Sequence, residues 1–422
     1  MKEQIMRSAA VIAVLGLILT VIPEAKAAEQ VNILVNSGFE EAGVPVEQGG
    51  WGDPASAWHL FGGGYTRGAY HAGQYGIDIT NNDTVSLAGA YQRIDLGQTQ
   101  VKPVFIGGFV KGDNIVNSAG GYFGASIYAE IHLDNGRIVY WNSLANYGTF
   151  DWHWIGFNTA ALTIDGVNKL VNRPISHIYI VPLLAYASGT ASFDDLAAYE
   201  FTPDHPALTI MFDDGASSVY TAAKPVMERH GFRGTLAIVS DAPGSGDADF
   251  MSWEEIKELS GSGWGVASHS RTHRDLTTLS QTDMLSEINN RDVFAGQDLT
   301  VTSFITPFGA YNSNIMNAAE KAGYASVRNY EQGDNPQGSF PGEIKIRGIL
   351  DTTTTAELAG WINEAKANNS WIVITFHEIV PSGDDAYHTT PEIFADMMAE
   401  IAASGVSVIT YDEGVATYGV TK

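Results

Sequence analysis

No cysteine occurs among the 422 residues, so neither a disulfide framework nor a lipid-modified cysteine is available to the chain. A domain-sized core must stabilise the fold without cross-links, which chains of this length can do. Positive charge is also scarce: 23 Lys plus Arg face 48 Asp plus Glu, a formal net charge of −25. That balance argues against nucleic acid and anionic membrane as partners. It is compatible with solvated surface, with a neutral glycan, or with a polymer that becomes cationic as amines are freed. Beyond the N-terminus no run is long and apolar enough to span a bilayer, and no short-period repeat or low-complexity tract occurs.

What the chain does contain is a globular composition, 45% hydrophobic, 17% charged and 11% aromatic, in a length that exceeds one core and implies two domains. Residues 1–27 read as an export signal: Lys2 and Arg7 supply positive charge, Ser8 to Ile22 the apolar stretch, and Ala25-Lys26-Ala27 the small residues of a cleavage site. The expectation is a secreted protein. A retained membrane anchor is the other reading, set back by the shortness of the apolar stretch.

Residues 28–201 favour short strands, with Gly, Asn and Asp clusters punctuating runs such as Ala125 to Leu133 and His177 to Leu184. This rhythm predicts an all-β sandwich. The opening Leu34-Val35-Asn36-Ser37-Gly38-Phe39-Glu40 and the closing Ala191-Ser192-Phe193-Asp194-Asp195-Leu196 resemble the first and last strands of jelly-roll carbohydrate-binding modules. The resemblance implies a structural calcium where the end strands meet, with Glu40 and Asp194 as candidate ligands; ordinary turn carboxylates are the alternative. Trp51, Trp58, Trp141, Trp152 and Trp154 either fill the core or include a platform for sugar rings.

Pro203 and Pro206 bracket a linker, residues 202–206, and from 207 to 422 strands alternate with helices. Strand runs at Ala207 to Phe212, Thr235 to Val239, Trp264 to Ala267, Ser303 to Thr306, Trp371 to Phe376 and Val406 to Thr410 are separated by helices near 218–230, 252 onward, 283–294, 313–322, 356–367 and 391–403. Ser252-Trp253-Glu254-Glu255 is a capping box, and the last helix has Pro391 at its start and Gly405 after its end. The alternation predicts a parallel sheet closed or nearly closed into a barrel.

Four polar clusters lie just past strand ends: Asp213-Asp214, His269 with His273, Pro307-Phe308-Gly309, and His377-Glu378. In a β/α barrel these ends share one face, where active sites are built. Two imidazoles four residues apart share a face if they sit on a helical turn. With one carboxylate they make a three-ligand set that leaves a position open, as catalytic zinc requires. Either pair taken alone would be an ordinary strand-end feature. Their convergence with a further histidine is not.

The segments Thr209-Ile210-Met211-Phe212-Asp213-Asp214-Gly215, Ser268-His269-Ser270-Arg271-Thr272-His273, Thr306-Pro307-Phe308-Gly309 and Thr375-Phe376-His377 resemble, in order, the signature segments of the polysaccharide deacetylase family, carbohydrate esterase family 4. The resemblance spans about residues 205–416 and implies a distorted β/α barrel. In it Asp214, His269 and His273 would hold a divalent metal, most often zinc. Asp213 would be the general base, His377 the acid for the leaving group, and the Phe308 backbone N–H an oxyanion donor. The implied activity is hydrolysis of N- or O-acetyl groups from a polysaccharide. One departure stands out: the family's arginine two residues before the motif proline is replaced by Ile305, and its aspartate and tryptophan partners are not evident in Tyr324 to Asp334. Arg328 or Arg347 would have to supply that charge from a neighbouring strand. The competing expectation is a carbohydrate-binding protein whose barrel has lost activity.

Overall fold

The computed structural model describes residues 31–43, 53, 55–117, 124–164, 168–383 and 385–420. The expected signal segment, residues 1–27, and Trp51 lie outside the described residues.

The N-terminal half is built of two five-stranded antiparallel sheets. One runs His59–Phe61, Leu87–Asp95, Ile175–Ala185, Ala125–Leu133, Ile138–Asn142 in spatial order; the other runs Gly64–Arg67, Ile77–Asn81, Ala187–Glu200, Val104–Asn117, Gly148–Asn158. Period-two alternation places Ile127, Ala129 and Ile131 of one sheet, and Val104, Ile106 and Val110 of the other, in a single shared core. Trp58, 1% exposed, packs in that core 5.1 Å from Phe39. Trp154 is buried against Phe105 and Phe340, while Trp141 and Trp152 are half-buried. Trp58, Trp141 and Trp154 therefore serve packing, while half-buried Trp152 meets the His71 ring edge to face at 6.0 Å.

In the second half seven parallel strands close on themselves: Ala207–Phe212, Thr235–Ile238, Gly265–Ser268, Ser303–Ile305, Ser326–Gln332, Ile344–Gly348 and Trp371–Phe376, the last pairing with the first. The short Ser407–Val408 pairs alongside Ala207 and Leu208. Alternation decides which way each residue points. Leu208, Ile210 and Phe212 face the helical layer. Ala207 and Met211 point inward with Ala237, Ala267, Ile305, Ile346 and Val373, and the helix Tyr411–Tyr418 packs against this inner set.

Most elements form where their local chemistry predicts. Ser252 and Glu255 make the reciprocal capping box, and helix Pro391–Ser404 ends on Gly405 with φ 68°. The helix expected over 283–294 is instead two, Gln281–Ile288 and Arg291–Ala295. The break falls at Asn290, whose buried side chain bonds Ser268, Ser240 and Tyr324 and is withheld from a continuous helix. Strands Ser326–Gln332 and Ile344–Gly348 and the Tyr411–Tyr418 helix complete the fold; Ile344-Lys345-Ile346-Arg347 alternates apolar and polar, and Thr410 and Glu413 form a capping box.

The halves are not merely tethered. Phe105, Trp154 and Ala197 pack with Met316, Phe340 and Val420 in one apolar cluster. Asn158 Nδ2 donates to the Gln337 and Gly338 carbonyls at 3.0 and 2.8 Å, and Lys169 Nζ meets Asp334 at 3.0 Å. Starting the chain at Thr202 would keep every catalytic candidate but expose Met316, Phe340 and Val420. Re-exposing such side chains costs roughly 1.5–3 kcal/mol each. The truncated barrel is therefore expected to melt about 9 °C or more below the barrel transition of the full chain, by the usual conversion. Calorimetry of the two proteins measures this, and equal midpoints would show that the contact contributes nothing.

Candidate active site and metal centre

The parity that fills the barrel also places the chemistry. Asp213 continues the inward series of Ala207 and Met211, His269 that of Ala267, and His377 that of Val373. All three reach the C-terminal mouth, a cavity of about 280 Å³ lined also by Asp214, His273 and Phe308.

Asp214 Oδ1 lies 3.4 Å from His269 Nε2 and 3.3 Å from His273 Nε2. Among the described residues these three form the one group of His, Asp and Glu ligand atoms gathered this closely. Tetrahedral ligands at about 2.0–2.1 Å from an ion stand about 3.3 Å from one another, so the observed spacings fit a shared divalent cation. His269 Nδ1 sits 2.9 Å from the Ile305 carbonyl. Donating there turns the lone pair of Nε2 toward Asp214 and His273, the usual outer-shell device for a metal-binding imidazole.

Burial alone would raise the Asp214 carboxyl, but the facing His269 and the charges of His377 and His273 hold it well below the usual carboxylate range. Burial, then His269, pushes His273 below its ordinary value and keeps it neutral. Burial would also lower His269, but Asp214 and Asp213 raise it overall. An anionic carboxylate facing imidazoles is the charge pattern that a cation completes.

The two histidines do not ride a helical turn, contrary to the sequence expectation. Residues 269–273 form a loop in which Ser270 (φ 62°) and His273 (φ 59°) are left-handed. Asp214 (φ 69°) and Phe308 (φ 57°) share that conformation. Non-glycine residues enter this region at a cost of about 1–2 kcal/mol each, and such strain collects at sites whose geometry the surroundings enforce. At Phe308 the enforcement is visible: Gly309 has φ 64° and the Cβ of Tyr330 only 2.0 Å from where its own Cβ would stand. The Phe308 ring is 65% exposed and lies 4.6 Å from His273, leaving its peptide at the mouth.

Glu287 holds the histidine loop. Its buried carboxylate, from helix Gln281–Ile288, accepts the Arg271 and Thr272 N–H groups at 3.1 and 2.8 Å and the Thr272 hydroxyl. No motif marks this residue in the sequence, although a glutamate between Met284 and Ile288 on a buried face is a visible signal. Outer-shell changes typically cost 10- to 100-fold in metal affinity. Glu287→Leu is expected to weaken metal binding by about that factor, with Glu287→Gln weakening it less, as read by competition with a chromogenic chelator.

Asp213 is faced by a buried cation. Arg328, 3% exposed, places Nη2 2.6 Å from Asp213 Oδ2 and Nη1 3.0 Å from Thr375 Oγ1. Ile305 and Arg328 are register partners on adjacent strands, so the guanidinium enters the barrel one strand over from the family position. Arg347 does not play this part. It has the opposite parity to Ile344 and Ile346, leaves the barrel interior, and pairs with Glu364 at 2.9 Å beside Trp361. His377 Nε2 stands 4.0 Å from Asp213 Oδ2, with Tyr387 4.9 Å from its ring.

Glu40 and Asp194 meet at one place, but as loop clamps. Glu40 Oε1 accepts the Gln74 and Tyr75 N–H groups at 2.7 and 3.1 Å. Asp194 Oδ2 accepts those of His71 and Ala72 at 2.7 and 3.0 Å, and its Oδ1 that of Asp195 at 2.7 Å. Three of the four carboxylate oxygens thus accept loop N–H groups, the behaviour of turn carboxylates.

The polysaccharide deacetylase family model matches residues 201–327. YxkH of Bacillus subtilis (strain 168), named for the same family, is 30% identical over 126 residues, which are 29% of this chain and 44% of that protein; the chain thus spans under half the length of this relative. Among solved structures, the Xyl-CE4 domain of a multidomain xylanase from the hindgut metagenome of Trinervitermes trinervoides is 18% identical, with 50% of this chain and 91% of that chain covered at a TM-score of 0.38. The family 4 carbohydrate esterase of Streptomyces lividans, solved with acetate, is 21% identical, with 48% and 91% covered at a TM-score of 0.36. Residues 201–327, and with them Asp213, Asp214, His269 and His273, belong to the polysaccharide deacetylase family.

Proposed function

We propose that the chain is an exported, metal-dependent deacetylase that hydrolyses acetyl groups from a polysaccharide, and that its N-terminal half is a jelly-roll domain serving that substrate. The observation that carries the reading is the division of labour between adjacent aspartates: Asp214 faces the two histidines while Asp213 is held by Arg328. Bound by Asp214, His269 and His273, a divalent cation such as zinc would polarise the acetyl carbonyl and acidify the attacking water.

The chain's own groups do the rest. Asp213 Oδ2 is engaged by Arg328, whereas Oδ1 has no donor among the described residues and is the oxygen left to take the proton of the attacking water. As water adds to the carbonyl carbon, negative charge develops on the carbonyl oxygen, where the Phe308 N–H donates. His377 gives its proton to the sugar nitrogen or oxygen as the tetrahedral adduct collapses, so the amine or alcohol departs neutral and acetate remains. The alternative of an inactive barrel draws its support from Ile305, and Arg328 removes most of that support by supplying the charge from the next strand.

The test is acetate release by the purified protein from a panel of acetylated glycans, before and after chelation and with zinc, cobalt or manganese restored. Activity that chelation abolishes and one of these ions restores supports the reading. Absence of acetate release from every glycan with all three ions overturns it.

A further inference from the structure

The sheet containing Ala125–Leu133 has an outward face opposite its core face. Ile127, Ala129, Ile131, Ile178 and Ile180 point into the core, so Tyr128, Glu130, His132, Tyr179 and Val181 point away from it. Strand register sets them in rows: Tyr128 lies opposite Val181 on one side and Asn142 on the other, and in the next row Glu130 lies between Tyr179 and Tyr140.

These rows form an open trough of about 610 Å³. Its floor is small or aliphatic, with Ser126, Val181 and Leu183 only 3–7% exposed although they face outward. The rings of Phe61, Tyr91, Tyr128 and Tyr179 pack around that floor and cover it. Tyr91 and Tyr179 meet edge to face at 6.0 Å, and Tyr128 stacks on Tyr140 at 6.4 Å. Burial, then the Glu130 charge and Tyr140, pushes the Tyr128 hydroxyl up to about 12, which keeps it a neutral donor.

We propose that this trough is a carbohydrate site separate from the catalytic mouth, holding a stretch of polysaccharide by stacking sugar rings on its tyrosines while Glu130, His132 and Asn142 bond the ring hydroxyls. A sugar ring offers an apolar face and a polar rim, which is what tyrosine faces beside a carboxylate, an imidazole and an amide complement. Charge gives a polyanion little to hold: Arg93, over the Tyr179 ring at 5.9 Å, is already paired with Asp95, Glu130 is itself acidic, and the chain carries a net charge of −25. The class of occupant rests on the polysaccharide reading proposed above. The tyrosines here take the place that the sequence offers to tryptophans.

The experiment is affinity electrophoresis of the full chain, stripped of metal by chelation, in gels containing acetylxylan, glycol chitin, glycol chitosan or hydroxyethyl cellulose. At least one polymer should retard it. Tyr128→Leu and Tyr179→Leu, which keep apolar bulk but lose the flat ring, should each weaken that binding about tenfold, and Tyr128→Phe should retain most of it. Acetate release from a small soluble acetylated substrate should be unchanged in all three variants. Glu130→Gln, which preserves size, supplies an independent loss if a leucine variant does not fold. No retardation by any polymer, or full binding in every folded leucine and Glu130 variant, overturns the proposal. Because binding is read without metal, retention of binding with no acetate release would sink only the deacetylase reading, and the converse only the trough.

Discussion

Asp213→Asn is expected to lower kcat by about 10²–10⁴, the usual contribution of a general base, while the protein keeps its metal. The amide oxygen can still accept from Arg328, whose Nη2 sits 2.6 Å from Oδ2 in the native pair, so the hydrogen bond is kept, while loss of the counter-charge beside the buried guanidinium should lower the melting temperature. What the amide cannot do is accept the proton of the attacking water. Asp214→Ala should behave oppositely and empty the site, because it deletes one of three convergent ligands. His377→Ala should spare the metal, with the greater loss on N-acetyl substrates, since an amine leaves only once protonated. Metal content and kcat measured side by side for the three variants decide the matter. A metal-free Asp213→Asn beside a fully loaded Asp214→Ala would reverse the two roles, and two loaded, active aspartate variants would make the pair structural.

The second large effect is expected at Arg328. Removing one member of a buried ion pair leaves the other charge uncompensated, at a cost of about 3–5 kcal/mol, and both members here are at most 6% exposed at the side chain. Arg328→Ile should therefore lower the melting temperature by roughly 6–20 °C, at the usual conversion for a domain of this size, and lower kcat with it. Because Ile305 is the register partner of Arg328, the double variant Ile305→Arg with Arg328→Ile returns a guanidinium to the same part of the barrel. Part of the lost activity should return with it. Arg347→Ala should leave kcat within about twofold, because that side chain turns away from the barrel interior toward Glu364, while the loss of its buried charge should lower the melting temperature. An Arg328→Ile protein with native kcat would show that Asp213 works without the charge.

Several parts of this protein are fixed by local chemistry and are legible in the sequence alone. The capping box at Ser252, the Pro391 start and Gly405 stop, and the apolar runs Ala207–Phe212 and Trp371–Phe376 need only near neighbours in the chain. The convergence of Asp214, His269 and His273 is legible as well, because each follows a strand and parallel strands of a barrel end on one face. What tertiary structure decides are the facts that depend on residues distant in sequence. Whether Arg328 or Arg347 faces Asp213 turns on strand parity and on the Ile305 register, which pairs residues far apart in the chain. The left-handed loop of His273, the Glu287 brace, the break at Asn290 and the contact of the two halves through Phe340 likewise arise between elements. Sequence points to the candidate ligands because ligand identity is chemical. Structure assigns their supports, because support is a matter of which side chains the closed barrel and its neighbouring sheet bring within about 3 Å of one another.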